Sequence, residues 1–289
     1  MGTAKRLREL LAEPHLLVAP GVYDGITASL VRSAGFDAAY MSGAAVSASA
    51  VGLPDIGLAT MSEMAAQAAV IRRQLDVPLI ADADTGFGDL KNTYRTVREY
   101  VRAGVAAIQL EDQAFPKKCG HLDDKRVIDP PEFMEKIAAA VEARGDGDLL
   151  VVARTDARAT HGFAAAVQRA QAYVESGADV IFIEAPRSLD EIRAIPREID
   201  VPVLFNLVGR GKSPAVTFRD LESFGYALAI VPGACLSPVV SSLTTALRSL
   251  RRGDPEPASR VSPRELFDNL GLPFWEALHE NHDRGTRSA

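Results

Sequence analysis

Eight short runs rich in β-branched and other apolar residues punctuate the chain, at positions 16–19, 38–42, 78–84, 106–112, 149–156, 180–185, 202–207 and 227–232. Runs of about four to eight residues between polar or glycine-containing segments have strand length rather than helix length. Between them, apolar positions recur at helical spacing. Met61, Met64, Ala68 and Ile71 share one stripe of segment 60–75, Tyr94, Val97 and Val101 one of 92–103, and Val167, Ala170 and Val174 one of 163–176. Thr60 with Glu63 and Ser188 with Glu191 have capping-box spacing, and Gly104 and Gly177 stand where a helix should stop. Strands alternating with helices predict a parallel sheet with helical crossovers, and eight strands close such a sheet on itself. An open doubly wound sheet is the alternative, but no Gly-x-Gly-x-x-Gly follows the first run. The expected fold is therefore α/β, a (β/α)8 TIM barrel occupying residues 1–252.

The pattern changes after about residue 252. Segment 251–262 places Pro255 and Pro257 among charges and reads as a linker. Ser262-Pro263-Arg264-Glu265 then has the form of a capped helix start with proline at its first position. Leu266, Phe267, Leu270, Leu272, Phe274, Trp275 and Leu278 make the following segment too apolar for water, so it packs on its own barrel or on a partner subunit. Residues 253–289 thus form a linker and C-terminal helical extension.

Composition narrows the class without naming a reaction. The chain has 289 residues, 47% of them hydrophobic and 24% charged, as in ordinary globular proteins. Lys and Arg total 32 against 38 Asp and Glu, a net charge of −6 with no basic stripe, which argues against nucleic acid. No apolar run is long enough to span a membrane. Lys5, Arg6, Arg8 and Glu9 set among Leu7, Leu10 and Leu11 predict an amphipathic helix rather than a signal peptide. Two distant cysteines, Cys119 and Cys235, suit a reducing, cytoplasmic setting.

The candidate chemistry lies where the strands end, the usual place for it in such barrels. The runs finish in Tyr40-Met41-Ser42-Gly43, Asp82-Ala83-Asp84, Glu111-Asp112, Arg154-Thr155-Asp156, Glu184 and Asn206. Side chains two apart share a face, so Asp82 converges with Asp84 and Arg154 with Asp156. Glu111 and Asp112 point oppositely, and only one can face the mouth. Asp82, Asp84 and Glu111 are hard oxygen donors without a His or Cys pair at zinc spacing, a set suited to Mg²⁺ or Mn²⁺. About seventeen residues separate Gly43 from Thr60 and Asp112 from Pro130, against about two to six in ordinary connections. The second loop carries Lys117-Lys118-Cys119-Gly120-His121; a cysteine between lysines and a histidine is expected to have a lowered thiol pKa and to be ready for proton transfer. Cys235 reads as a small buried hydrophobe, and His15, His161, His279 and His282 as structural or solvated.

Together these blocks resemble the isocitrate lyase/phosphoenolpyruvate mutase superfamily. Lys117-Lys118-Cys119-Gly120-His121 matches its lyase signature. Tyr40-Met41-Ser42-Gly43, Gly52-Leu53-Pro54-Asp55, Asp82-Ala83-Asp84-Thr85-Gly86 and Ala153-Arg154-Thr155-Asp156-Ala157 match its other blocks, in order, from about residue 6 to 250. The branch most similar holds methylisocitrate lyase, 2,3-dimethylmalate lyase and oxaloacetate hydrolase. The resemblance implies a (β/α)8 barrel, Mg²⁺ with Mn²⁺ as substitute, small α-oxo or 2-hydroxy carboxylate substrates, and a homotetramer in which a C-terminal helix is exchanged between subunits. It implies that Asp82 and Asp84 hold the metal, helped by Asp55 and Glu111. Ser42, Gly43 and Ala44 would hold the α-carboxylate, with Gly120, Arg154, Glu184 and Asn206 completing the mouth. The implied reaction is a retro-aldol-type C–C cleavage. Tyr40, or hydroxide on the metal, takes the hydroxyl proton, and Cys119 protonates the departing carbanion, held in place by Lys117, Lys118, His121 and the closed loop. Oxaloacetate hydrolysis and a phosphonomutase-like P–C bond formation are alternatives, as is a catalytically silent oxo-acid-binding barrel. One departure stands out: relatives commonly read Asn-x-Val-Glu-Gly-Gly-Lys-Thr-Pro after strand seven, where this chain has Gly209 and Arg210 in place of Glu-Gly.

Overall fold

The structure, a computed structural model, describes residues 2–254 and 261–278. Eight parallel strands close into a barrel in chain order: β1 (Leu17–Val22), β2 (Ala39–Met41), β3 (Leu79–Asp82), β4 (Ala107–Glu111), β5 (Leu150–Thr155), β6 (Val180–Ile183), β7 (Val203–Asn206) and β8 (Leu228–Val231). Closure is made by β1 against β8, with Leu17 level with Leu228 and Pro20 level with Val231. Seven strands lie inside the expected runs. β1 continues three residues past its run, through Pro20 and Gly21 to Val22. Gly21 has a different reason to be there: a Cβ on it would run into the backbone of Pro232, so the glycine lets β1 pass under the end of β8.

Alternation along each strand divides the apolar residues into two shells. Ile80, Val152, Phe182, Leu204 and Ile230 fill the barrel interior, while Leu79, Ile108, Val151, Ile181 and Val203 face the surrounding helices. The predicted N-terminal helix forms as Thr3–Leu11. It places Leu7, Leu10 and Leu11 in the interior shell, stopping the N-terminal end of the barrel, and Arg8 Nη1 is 3.0 Å from Asp179 Oδ1.

The helix signals act largely as read. Thr60 and Glu63 form a reciprocal capping box on helix Met61–Arg72, and Gly104 ends helix Leu90–Ala103 at φ +79°. Ser188 caps helix Leu189–Glu198 through the Glu191 N–H, but the Glu191 carboxylate does not return to it. That carboxylate accepts the Arg187 N–H at 2.7 Å and pairs Arg158 at 2.8 Å instead. After β8 the packing changes: helix Leu236–Arg251 buries none of its residues, and Leu243 and Leu247 are more than half exposed. Ser262 and Glu265 form the expected box on helix Pro263–Asp268, and Arg32 Nη2 reaches Asn269 O at 3.3 Å. Phe274 and Trp275 remain more than half exposed. Pro255, Pro257, His279 and His282 lie outside the described residues, whereas His15 and His161 are exposed as expected. Among the described residues no helix is long and apolar enough to cross a membrane.

Candidate active site

The inward rows of the strands emerge at the C-terminal end of the barrel as Tyr40, Asp82, Glu111, Arg154, Glu184 and Asn206. Gln109, two residues before Glu111 and fully buried, links two of them: Tyr40 Oη donates to Gln109 Oε1 at 3.3 Å, and Gln109 Nε2 donates to Asp82 Oδ1 at 3.4 Å. Asp82 also accepts the N–H groups of Asp84 (3.1 Å) and Gly43 (3.2 Å). Gly43 is required there, since a Cβ would stand 2.5 Å from Asp82 Oδ2. It opens the short helix Gly43–Val46, capped by Ser42, whose Oγ accepts the Ala45 N–H at 3.3 Å. Ala44 lines the cavity with the first-turn N–H that neither Asp82 nor Ser42 takes.

The long loop after β4 folds over this end. Cys119 N–H donates to Asp55 O at 3.0 Å, and the Gln113 side chain brackets the Lys118 backbone at 2.8 and 2.9 Å. Lys117 reaches down to Asp84 Oδ1 at 2.6 Å and also pairs Asp55. Gly120 packs so closely on Arg154 and Glu184 that a Cβ would overlap both. Arg154 is the hub: its guanidinium lies 2.9 Å from Asp156, 3.2 Å from Glu111 and 3.3 Å from Glu184, above the Phe182 ring. Asn206 Nδ2 donates to Glu184 Oε2 at 3.2 Å, and His121 Nε2 stands 3.4 Å from Glu184 Oε1. A cavity of about 210 Å³ remains, bounded by Tyr40, Ser42, Ala44, Asp55, Asp82, Lys117, Cys119, Gly120, His121, Arg154, Glu184 and Asn206, with Phe182, Val208, Pro232 and Leu236 as apolar wall.

Negative charge is in excess here. Carboxylates of Asp55, Asp82, Asp84, Glu111, Asp156 and Glu184 face only the cations of Lys117, Lys125 and Arg154. Burial, joined by Asp82 and Asp55, pushes Asp84 up to about 6 against the pull of Lys117, and burial lifts Glu111 well above the usual carboxylate range despite Arg154. Glu111 Oε1, Glu184 Oε1 and Asn206 Oδ1 are buried acceptors without a hydrogen-bond donor. Such a set is incomplete without a cation or a donor-bearing ligand. Among the described residues no three His, Cys or acidic side chains enclose an ion by themselves. The unpaired acceptors are carboxylate and amide oxygens, hard donors of the kind that a divalent cation such as Mg²⁺ takes directly or through water.

Three expectations change. Lys118 does not reach the cavity; its ammonium turns outward to Asp123 O at 3.2 Å. With Lys118 turned away and Lys117 neutralised by Asp55 and Asp84, the thiol of Cys119 is not lowered. Burial pushes it up, and Asp55 and Glu184 add to this against the His121 N–H and Arg154. Burial and Asp82 likewise push the Tyr40 hydroxyl well above its usual value, which makes it a hydrogen-bond donor and a poor base. The opposition of Glu111 and Asp112 holds: Asp112 faces away from the mouth and accepts Thr155 Oγ1 (2.7 Å), the Asp156 N–H (2.9 Å) and Tyr173 Oη (2.8 Å). Gln109, Phe182 and Lys125 escaped the reading of the sequence, and Lys212 stood there only as part of the block after strand seven, with no role given to it. Strand parity with Glu111 and Glu184 would have found the first two, whereas nothing local marks Lys125.

The C-terminal end of the barrel thus sets a partly buried thiol and an arginine against a ring of carboxylates, in the place where enzymes of this fold carry their active sites. Residues 7–251 match the family described as phosphoenolpyruvate phosphomutase. The chain is 43% identical over 288 residues to 2,3-dimethylmalate lyase of Eubacterium barkeri (99% of this chain, 100% of the relative). It is 49% identical over 244 residues to 2-methylisocitrate lyase of Aeropyrum pernix (84% of this chain, 78% of the relative). Among solved structures, oxaloacetate acetylhydrolase in complex with the inhibitor 3,3-difluorooxalacetate superposes with a TM-score of 0.93 at 35% identity, covering 98% of this chain and 97% of the other. The chain belongs to the phosphoenolpyruvate phosphomutase family and is a lyase of the isocitrate lyase/PEP mutase superfamily.

Proposed function

We propose that this lyase uses Mg²⁺ to cleave a C–C bond in a small 2-hydroxy di- or tricarboxylate of the 2-methylisocitrate or 2,3-dimethylmalate type, releasing an α-oxo acid and a second carboxylate. The observation that carries the proposal is the position of the Cys119 thiol, at the rim of a cavity that faces a carboxylate cluster short of positive charge. Asp55, Asp82, Asp84 and Glu111 would hold Mg²⁺, directly or through water, and Mn²⁺ would substitute. When bound, the cation supplies Lewis acidity toward the substrate's oxygens and lets a polyanion approach these carboxylates.

The protein's own groups do the rest. Arg154 and the free N–H of Ala44 hold carboxylate oxygens, and Tyr40 turns its one O–H from Gln109 Oε1 to the substrate. Removal of the hydroxyl proton falls to the carboxylate cluster, since Tyr40 is held as a phenol. The bonding pair of the broken C–C bond moves onto the second carboxylate, and Cys119 delivers its thiol proton to carbon. The closed loop excludes water from that carbanion. We place the reaction in the cytoplasm. We further propose that the exposed face of helix Leu236–Arg251 meets a second copy of the chain, in a homotetramer with exchanged helices.

Turnover of methylisocitrate, isocitrate, dimethylmalate, oxaloacetate and phosphonopyruvate, each with Mg²⁺ and with EDTA, tests the reading. Cleavage of a 2-hydroxy acid that EDTA abolishes and added Mg²⁺ restores is expected; cleavage surviving EDTA overturns the metal assignment. Oxaloacetate hydrolysis is the second reading, favoured by the 0.93 superposition, and wins if oxaloacetate alone turns over.

A further inference from the structure

The loop that carries Cys119 is fastened at two places of opposite character. The Lys125 ammonium is 2.5 Å from both Gly120 O and Asp156 Oδ1, and both side chains are buried. Opening that attachment would strand a buried charge. The second attachment comes from across the mouth, from the segment after β7. Lys212 N–H donates to His121 Nδ1 at 3.2 Å, and its ammonium reaches Leu122 O at 3.1 Å and Asp123 Oδ1 at 2.5 Å, the Asp123 side chain being 86% exposed. Gly211 lies so close that a Cβ on it would stand 2.8 Å from the His121 ring. β4 and β7 are not neighbours in the barrel, so these contacts bridge the opening rather than follow the sheet.

We propose that Lys212 is a positioning residue, a releasable latch that holds the Cys119 loop down over the cavity and lets substrate in when it parts. The proposal rests on the reading in which Cys119 delivers the proton. With the latch closed, His121 Nδ1 accepts from the backbone, so the neutral ring carries its hydrogen on Nε2, toward Glu184 Oε1. Gly120 then lies sealed against Arg154 and Glu184. An exposed ion pair and one carbonyl hydrogen bond are weak enough to break at each turnover. Lys125 keeps the loop in register while they do.

Alkylation of Cys119 by iodoacetamide, followed by peptide mass spectrometry with Cys235 as internal reference, reads the latch without reference to any substrate. Lys212→Met is expected to speed it about two- to five-fold, the range covered by a partly exposed ion pair and a hydrogen bond. Loss of a positive charge without opening would raise the thiol pKa and slow the reaction, so the sign separates the latch from simple electrostatics. Lys212→Arg should stay near wild type. Gly211→Ala, which pushes on His121 with the lysine intact, should also speed alkylation. In turnover, Lys212→Met should lower kcat/KM. Unchanged or slower alkylation in both Lys212→Met and Gly211→Ala overturns the latch. Faster alkylation in an enzyme that cleaves none of the hydroxy acids sustains the latch and sinks the proposed function instead.

Discussion

At the scale of single residues, the protonation state of Cys119 decides how the site works. A general acid must hold its proton at working pH, and burial pushes the Cys119 thiol in that direction, above its ordinary value. Cys119→Ala should lower kcat by about 10²–10⁴-fold with KM little changed, read from steady-state cleavage. Because the thiol is raised, the alkaline fall of wild-type kcat should come above the ordinary thiol value of about 8.5, and an earlier fall would count against Cys119 as acid. Behind it, burial alone would raise Asp156, but Arg154 and Lys125 outweigh burial and hold its carboxyl below the usual range. A depressed folded-state pKa gives stability that is complete above the unfolded value, near about 4, and is lost as pH falls toward the lower one. Asp156→Asn should therefore cost about 3–5 kcal/mol in urea unfolding at neutral pH, by leaving Lys125 unpaired, with the gap from wild type shrinking below about pH 4. Residue types and strand parity made Asp82, Glu111, Arg154 and Glu184 legible in advance. The thiol's direction was not, because it depends on which carboxylate claims Lys117.

At the scale of elements, the eight strands were legible as short apolar runs, and the inward rows of six of them, β2 to β7, end in polar residues. The end of β1 was not, because Pro20-Gly21 is locally a turn and becomes strand only under the last strand's backbone. Nor does helix Leu236–Arg251 declare itself: its apolar content matches that of a packed crossover helix, yet none of it is buried. The stopper helix was read as amphipathic, but its seat inside the barrel needs the whole sheet. Leu7→Ala should cost about 2–5 kcal/mol, the usual range for a large residue lost from a packed interior, measured as a lower urea midpoint with an unchanged slope.

At the scale of the molecule, an apolar helix in water is an instruction to assemble. Sedimentation should give a mass well above the 30.9 kDa of one chain, and Leu243→Glu with Leu247→Glu should lower it toward that value. A wild-type monomer at micromolar concentration would refute the proposed exchange. The stopper helix has a further consequence, this one for the order of events in synthesis. Thr3–Leu11 leaves the ribosome before any strand, yet its leucines belong to one cluster with Leu228 and Ile230 of the last strand, and Arg8 pairs with a residue 171 positions away. The cover of its apolar face is therefore completed only when the last strand has emerged. Until then the partly built barrel leaves apolar surface in water, the condition in which chains of this size are open to aggregation.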